Sequence, residues 1–549
     1  MCLKQYLQLT HGTKLAITIQ TLSGSGEKLI YMEAKRKIMK NLIPFFFICL
    51  LALFSCNSST SDPTDTLPPP EDTDSENINP DDTAQIVSGE WDAGDFTYVY
   101  DVGPGYEYED PSEIPWEDLL PATLVRIHFR TEPYRAKWVI TTHASEDAPL
   151  VVTGVAENGN LPVISGENAI TRQELYYLNE VRSVVKIGNY TGDSDNERPA
   201  HVIVENLDIR SGRPDYSFTD RYGESQTYSQ NAAAVHIEEG DQITIKNCIL
   251  HDSGNGLFTS HLTTDILIRS NYIYDNGIEG RYYEHNTYTE SFGITYEFNH
   301  FGPLRTGCGG NNLKDRSAGT IIRYNWIEGG NRQLDLVETD YESFSSDASY
   351  DRTFVYGNIL FESGDDGNSQ MIHYGGDGSN QDMYRRGVLY LYHNTIVSER
   401  TGNTTLIRLS TDDVTADIRN NIVYTSASAG HLALTNGQGI LYLTSNWITE
   451  GYRNSFESTS ADIKTSINNI TGTRPGFTDA NTGDFTLATG SDCISGAGNV
   501  ASGASGHPVL KQYIRHQAGE DRPDYGDATD IGAFSALIQK LLQPYLFLY

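Results

Sequence analysis

The side chains best suited to proton transfer and anion binding gather between Tyr283 and Asp340. Five cations, Arg305, Lys314, Arg316, Arg323 and Arg332, fall in the stretch 305–332 against two acids, Asp315 and Glu328. The whole chain has 39 Lys+Arg, 73 Asp+Glu and a net charge of -34, so this stretch reverses the local sign. A cationic strip on an acidic protein suits an anionic chain. The same net charge argues against nucleic acid and anionic membrane surfaces as partners. His285, Tyr288 and His300 lie in the same region and add groups that donate or accept protons. The blander alternative is a set of solvated strand-face cations paired with nearby acids.

Alternation along strands places some of these groups. Leu313 points inward, so Lys314 points out; Leu334 and Leu336 point inward, so Asp335 points out. One coil of stacking, about 4.8 Å, then puts Lys314 and Asp335 on one outer face. In that position Asp335 tunes the lysine, and Arg316 lowers its proton affinity while Asp315 opposes that effect.

The elements that carry these residues repeat. His201-VIVENLDIRSG, Gln242-ITIKNCILHDSG, Asp265-ILIRSNYIYDNG, Thr320-IIRYNWIEGG, Thr353-FVYGNILFESG, Gly387-VLYLYHNTIVS, Ala416-DIRNNIVYTS and Leu441-YLTSNWITEG share one pattern. Apolar residues alternate, an Asn follows, and a second short alternation leads, in most, to a turn. Asn206, Asn247, Asn271, Asn325, Asn358, Asn394, Asn421 and Asn446 are spaced by 41, 24, 54, 33, 36, 27 and 25 residues. The shorter spacings match one coil, and the longer ones a coil with an insertion or two coils. Period-two patterning at this recurrence predicts an all-β solenoid, a right-handed parallel β-helix with an N-terminal cap. The asparagines are expected at tight left-handed bends, their amides stacked as a ladder. Abundant Tyr (34) and Gly (50) with few Lys fit strands joined by turns.

Asn312-LKDRSAGTIIRYNWIEGG resembles the lysine-bearing coil of the chondroitinase B and alginate lyase family of β-helix polysaccharide lyases. The resemblance covers this stretch and the overall repeat. It implies β-elimination on a uronate, with Lys314 as base and calcium beside the substrate carboxylate. The family's arginine on the next coil falls at Val337 here, so another group must protonate the leaving oxygen; Tyr288, His285 and Arg316 are the candidates. Elimination removes the C5 proton, and positive charge or a metal must stabilise the anion that develops. Arg305, Arg323, Arg332 and His300 are assigned to substrate binding, and Asp335 and Glu338 to a calcium ion, although no calcium-loop motif is present.

Two other classes compete. A glycoside hydrolase needs two carboxylates, and Asp335 with Glu338, Glu290, or the pair Asp365–Asp366 would serve. Ser363-GDDGN resembles the Asp–Asp element of β-helix polygalacturonases, without their Asn-Thr-Asp and Gly-His-Gly elements. A glycan-binding surface protein needs only tyrosine-rich faces. His373 and His393 fit either a site or the frame, and His393 precedes a ladder Asn.

The ends carry addressing signals. Lys35, Arg36, Lys37 and Lys40 precede the apolar run Ile43–Phe54 and then Ser55-Cys56. This reads as a bacterial lipoprotein signal with Met39 as start and Cys56 as the lipidated N-terminus. The division expected is an upstream extension and signal over 1–56, a disordered Ser/Thr/Asp/Pro-rich linker over 57–86, the β-helix over 87–535 and a tail over 536–549. The expected protein is an exported monomer on the cell surface or outer membrane, held to the membrane only by its lipid, with an acidic polysaccharide as partner. Of six cysteines only Cys248, Cys308 and Cys493 lie in the body; none has metal-ligand spacing, and they read as small buried apolar groups. Gly483-DFTLATGSDCISGAG reads as a last coil, and Asp530-Ile531-Gly532-Ala533-Phe534 as a closing segment.

Overall fold

A computed structural model describes residues 91–188, 198–364, 367–523 and 529–536, and the backbone of three N-terminal strands. The signal segment, Cys56, the linker, Asp365–Asp366 and most of the tail lie outside the described residues. The chain divides into two units, Met1–Asn77 and Ile78–Tyr549. In the first, Gln5–Gln8, Lys14–Ile19 and Lys28–Glu33 pair antiparallel.

The second unit is a parallel β-helix. A typical coil has three strands, such as Leu313–Asp315, Ala318–Arg323 and Trp326–Glu328. Each pairs in parallel with its counterpart one coil on, here Leu334–Leu336, Arg352–Tyr356 and Ile359–Glu362. Three sheets therefore run the length of the body. The first-sheet strands continue through Gln370–Tyr374, Thr404–Leu409 and Leu432–Gly437. Early strands of the body include Leu150–Val155 and Val163–Ser165.

Alternation decides what fills the coils. Val185, Val235, Leu257, Leu313, Leu334, Ile372 and Ile407 point inward from the first sheet into one continuous buried core. Apolar burial of this kind is worth about 25 cal/mol per Å². The interior is not wholly apolar. Asp315 and Arg385 are both fully buried and form an ion pair of 3.0 Å. Thr289 and Thr320 also donate to Asp315, at 2.9 and 2.7 Å.

The asparagine ladder is present with a shifted membership. Asn271, Asn299, Asn325, Asn358, Asn394, Asn421 and Asn446 each pass a side-chain amide bond to the next, and the ladder ends at Asn469. Asn299 supplies the coil inside the longest sequence interval. Asn206 and Asn247 are not members: they occupy the left-handed bend itself, at φ of 58° and 52°. In later coils that bend falls one residue before the ladder, at Ser270, Phe298, Tyr324, Gly357, His393, Asn420 and Ser445. The ladder Asn is thus the residue after the bend. It satisfies buried backbone groups that the turn leaves open, such as the carbonyl of Ile322 for Asn358.

The segment read as a last coil is a strap on the outside. Asp484–Leu487 pairs antiparallel with Phe477–Asp479, and Phe485 stacks on Trp326 far down the helix. Ala533 and Phe534 join the same cluster over Ile359 and Val397. The cause is the outer face of the third sheet, which carries Trp326 and Trp447 and would otherwise expose them. Cys248, Cys308 and Cys493 are free thiols; Cys308 is half-buried and the other two are buried.

Candidate functional site

The outward column of the first sheet brings several ionisable side chains into register. Phe258, Tyr288, Lys314, Asp335, His373, Arg408 and Asn436 occupy one position on successive coils. Each points out because its strand neighbours, such as Leu313 or Ile372, fill the core.

Lys314 and Asp335 face each other, Nζ to Oδ2 2.6 Å, with the lysine side chain 12% and the aspartate 1% exposed. Asp335 is the hub. It also accepts from Asn311 Nδ2 at 2.7 Å and bonds His373 Nδ1 at 2.9 Å, and Arg332 lies 3.6 Å away. Burial works to raise this carboxyl, but Lys314, His373 and Arg332 outweigh it and hold it far below the usual range. Lys314 Nζ is committed to this carboxylate, which does not fit the role of free base that the family resemblance implies.

Tyr288 stands one coil before Lys314. The lysine Nζ is 5.9 Å and the Arg316 guanidinium 5.4 Å from its ring centre. Burial raises its phenol, against the pull of Arg316 and Lys314. Its hydroxyl has no hydrogen-bond partner among the described residues. Arg316 pairs with Asp340 at 2.6 Å. Burial disfavours its charge, but Tyr288, Asp340 and Glu290 more than compensate, so Arg316 is a fixed cation and not a proton donor. His285 packs edge-on to Tyr288 at 5.4 Å. Its Nδ1 accepts the Asn311 backbone N–H at 2.8 Å, so the neutral ring carries its proton on Nε2. Burial, helped by Lys314, lowers the imidazole to about 3. Glu290 accepts from Thr339 Oγ1 and the Asp340 backbone N–H, and burial raises its carboxyl.

The five cations of the basic stretch do not converge. Arg305 sits on another face and bridges Asp252 and Asp275 at 2.7 and 3.0 Å. Arg323 leaves from the second sheet and binds Glu297 at 2.6 Å and the Tyr356 hydroxyl. His300 is on the third sheet, stacked between Tyr272 and His516, and burial depresses it strongly. Arg323 and His300 are separated from the column because their strands belong to other sheets of the same coils, and Arg305 because it lies in the loop that follows His300–Phe301. Lys314, Arg316 and Arg332 remain. Arg332 also donates to Gln370 at 3.1 Å.

Asp335 and Glu338 do not fit a shared calcium ion. Cations and N–H donors take the oxygens of Asp335. Glu338 accepts the backbone N–H groups of Asp377 and Gly378, at 3.2 and 2.9 Å, and so pins that loop. Among the described residues no group of three or more His, Cys, Asp or Glu is placed to hold a metal. Asp315 points inward to Arg385 and so does not stand beside the Lys314 ammonium.

Asn311, Arg408 and Ser410 were not singled out by the sequence, which left His373 open between site and frame. The signal was available: aligning coils by their inward leucines and isoleucines puts His373 and Arg408 in the column of Lys314 and Asp335. His393, by contrast, belongs to the frame, bonded to Asp530 and Asn420.

No protein-family model matches the chain, and no curated protein matches it. Among solved structures, a GH136 lacto-N-biosidase from Eubacterium ramulus is similar at 11% identity and TM-score 0.40, over 67% of this chain and 68% of that one. The pectin methylesterase from Aspergillus niger in deglycosylated form is similar at 11% identity and TM-score 0.22, over 74% and 92%. Likenesses at these scores carry nothing about activity.

Proposed function

We propose that the protein is an exported enzyme, tethered through lipidated Cys56, that cleaves a uronate-containing polysaccharide by β-elimination on the outward face of the first sheet. The observation that supports this most is Tyr288, a phenol whose hydroxyl has no hydrogen-bond partner among the described residues, held beside Lys314 and Arg316 in a chain of net charge -34. The cations draw in the acidic chain and neutralise the uronate carboxylate as negative charge develops on it. Tyr288 takes the C5 proton as phenolate and returns it to the glycosidic oxygen as the C4–O bond breaks. A single group does both when proton and leaving oxygen lie on one side of the ring. His285 keeps its Nε2 proton and uses it only as a hydrogen-bond donor to the substrate carboxylate. Lys314 is in this scheme a charge-neutralising cation fixed by Asp335.

The test is a panel of alginate, pectin, chondroitin-type glycans and ulvan, read by the ultraviolet absorbance of the unsaturated product. Wild-type protein should produce it on at least one substrate. Tyr288→Phe should lower the rate by about 10²-fold or more, the scale of a lost proton-transfer group. A Tyr288→Phe protein with unchanged rate refutes the assignment.

A further inference from the structure

Beyond the elimination site, the same sheet aligns a serine, a histidine and an aspartate on successive coils. His373 Nδ1 lies 2.9 Å from Asp335 Oδ1, and its Nε2 lies 2.8 Å from Ser410 Oγ. The proton positions follow from the partners. Asp335 is ionised and only accepts, so Nδ1 carries the imidazole proton. Ser410 Oγ accepts the Gly376 N–H at 3.2 Å. Its own hydrogen is then directed at the bare Nε2. This is the tautomer and order that a hydroxyl nucleophile requires.

The surroundings are shaped to keep it. A side chain at Gly375 would meet Ser410 Cβ at 2.6 Å and Oγ at 2.8 Å, and its φ of 132° suits glycine alone. His373 is fully buried, whereas Ser410 is half-buried at the end of its strand. Arg408 shares the outward column with His373, and among the described residues no acid pairs with it. Burial lowers the imidazole of His373 against the pull of Asp335, so it is a neutral base at neutral pH.

We propose that Ser410, His373 and Asp335 form a second catalytic centre, an esterase that removes O-acyl groups from the acidic glycan bound along this sheet. Ser410 Oγ attacks the ester carbonyl as its proton passes to His373 Nε2. The acyl C–O bond breaks, and the sugar hydroxyl leaves with that proton. Water then attacks the acyl-serine, gives a proton to Nε2, and releases the carboxylic acid and free Ser410. The sum is ester plus water to alcohol plus acid. Arg408 receives the developing oxyanion, and Asp335 is a positioning residue that acts through His373.

A fluorophosphonate probe tests this on the whole protein, with mass mapping of the adduct and hydrolysis of p-nitrophenyl acetate alongside. The expected result is one adduct, on Ser410, absent when the protein is first unfolded in urea. Ser410→Ala should lose about 10²-fold or more of the ester hydrolysis while its formation of unsaturated product stays unchanged. That separates this proposal from the elimination reading. Asp335→Asn should shift the pH profile of ester hydrolysis, an effect absent from a merely structural role. No adduct at Ser410, or undiminished hydrolysis in Ser410→Ala, overturns the proposal; the first outcome needs no variant to fold.

Discussion

Arg385→Met should destabilise the β-helix far more than its place on a connecting loop suggests. The guanidinium is fully buried and reaches Asp315 at 3.0 Å, the Ser317 carbonyl at 2.9 Å and Thr353 at 3.1 Å. Removing it leaves an ionised carboxylate inside the coil. Breaking one side of a buried pair costs about 3–5 kcal/mol. Asp315 keeps the hydroxyls of Thr289 and Thr320, so the lower end, about 3 kcal/mol, is expected here. Adding Asp315→Asn to Arg385→Met removes the stranded charge and should recover more than half of that loss. Equilibrium urea unfolding followed by circular dichroism gives both values. A single-variant cost under about 1 kcal/mol, the scale of an ordinary surface change, refutes the reasoning. So does a double variant no more stable than the single.

Lys314→Met should cut both elimination and stability, the latter by about 1–3 kcal/mol because Asp335 loses a charged partner; unchanged thermal unfolding counts against the hub. Elimination should rise with pH through the alkaline range without levelling below pH 10, because the reactive form is the phenolate and burial raises Tyr288; a plateau near neutrality contradicts Tyr288 as base. Glu290 is raised by burial, so its folded form holds a proton more tightly than the unfolded chain. Its contribution to stability is present at acid pH and lost as pH rises through the folded pKa. Glu290→Gln should therefore unfold at higher urea than wild type above that range and match it in acid; no pH-dependent difference refutes the burial argument. Asn358→Ala strands the Asn325 and Ile322 backbone groups and should cost about 2–3 kcal/mol, whereas Asn247→Ala, outside the ladder, should cost about 1 kcal/mol; equal costs would mean the ladder is not what the amides stabilise.

The fold was legible because a parallel β-helix writes its period into the chain: alternation in each strand and an amide at each turn. The exact ladder position was not, since Asn suits both the left-handed bend and the residue after it, and Asn206 and Asn247 take the first place. Lys314 and Asp335 could be placed together because both flank core leucines one coil apart. Arg323 and His300 could not, because nearness in sequence does not say which of three sheets a strand joins. The connection between Asp335 and His373, from residue 335 to 373, crosses a long insertion that hides the common column. The inward turn of Asp315 depended on Arg385, a partner seventy residues away.

The most direct test of the account is the mass of the cleavage products. Acidic polysaccharide treated with the purified protein should yield oligosaccharides that lack one water at the newly formed non-reducing end and carry no oxygen from isotopically labelled solvent, as elimination requires. Products that each contain one added water, with solvent oxygen at the cleaved bond, would show hydrolysis and contradict the central claim.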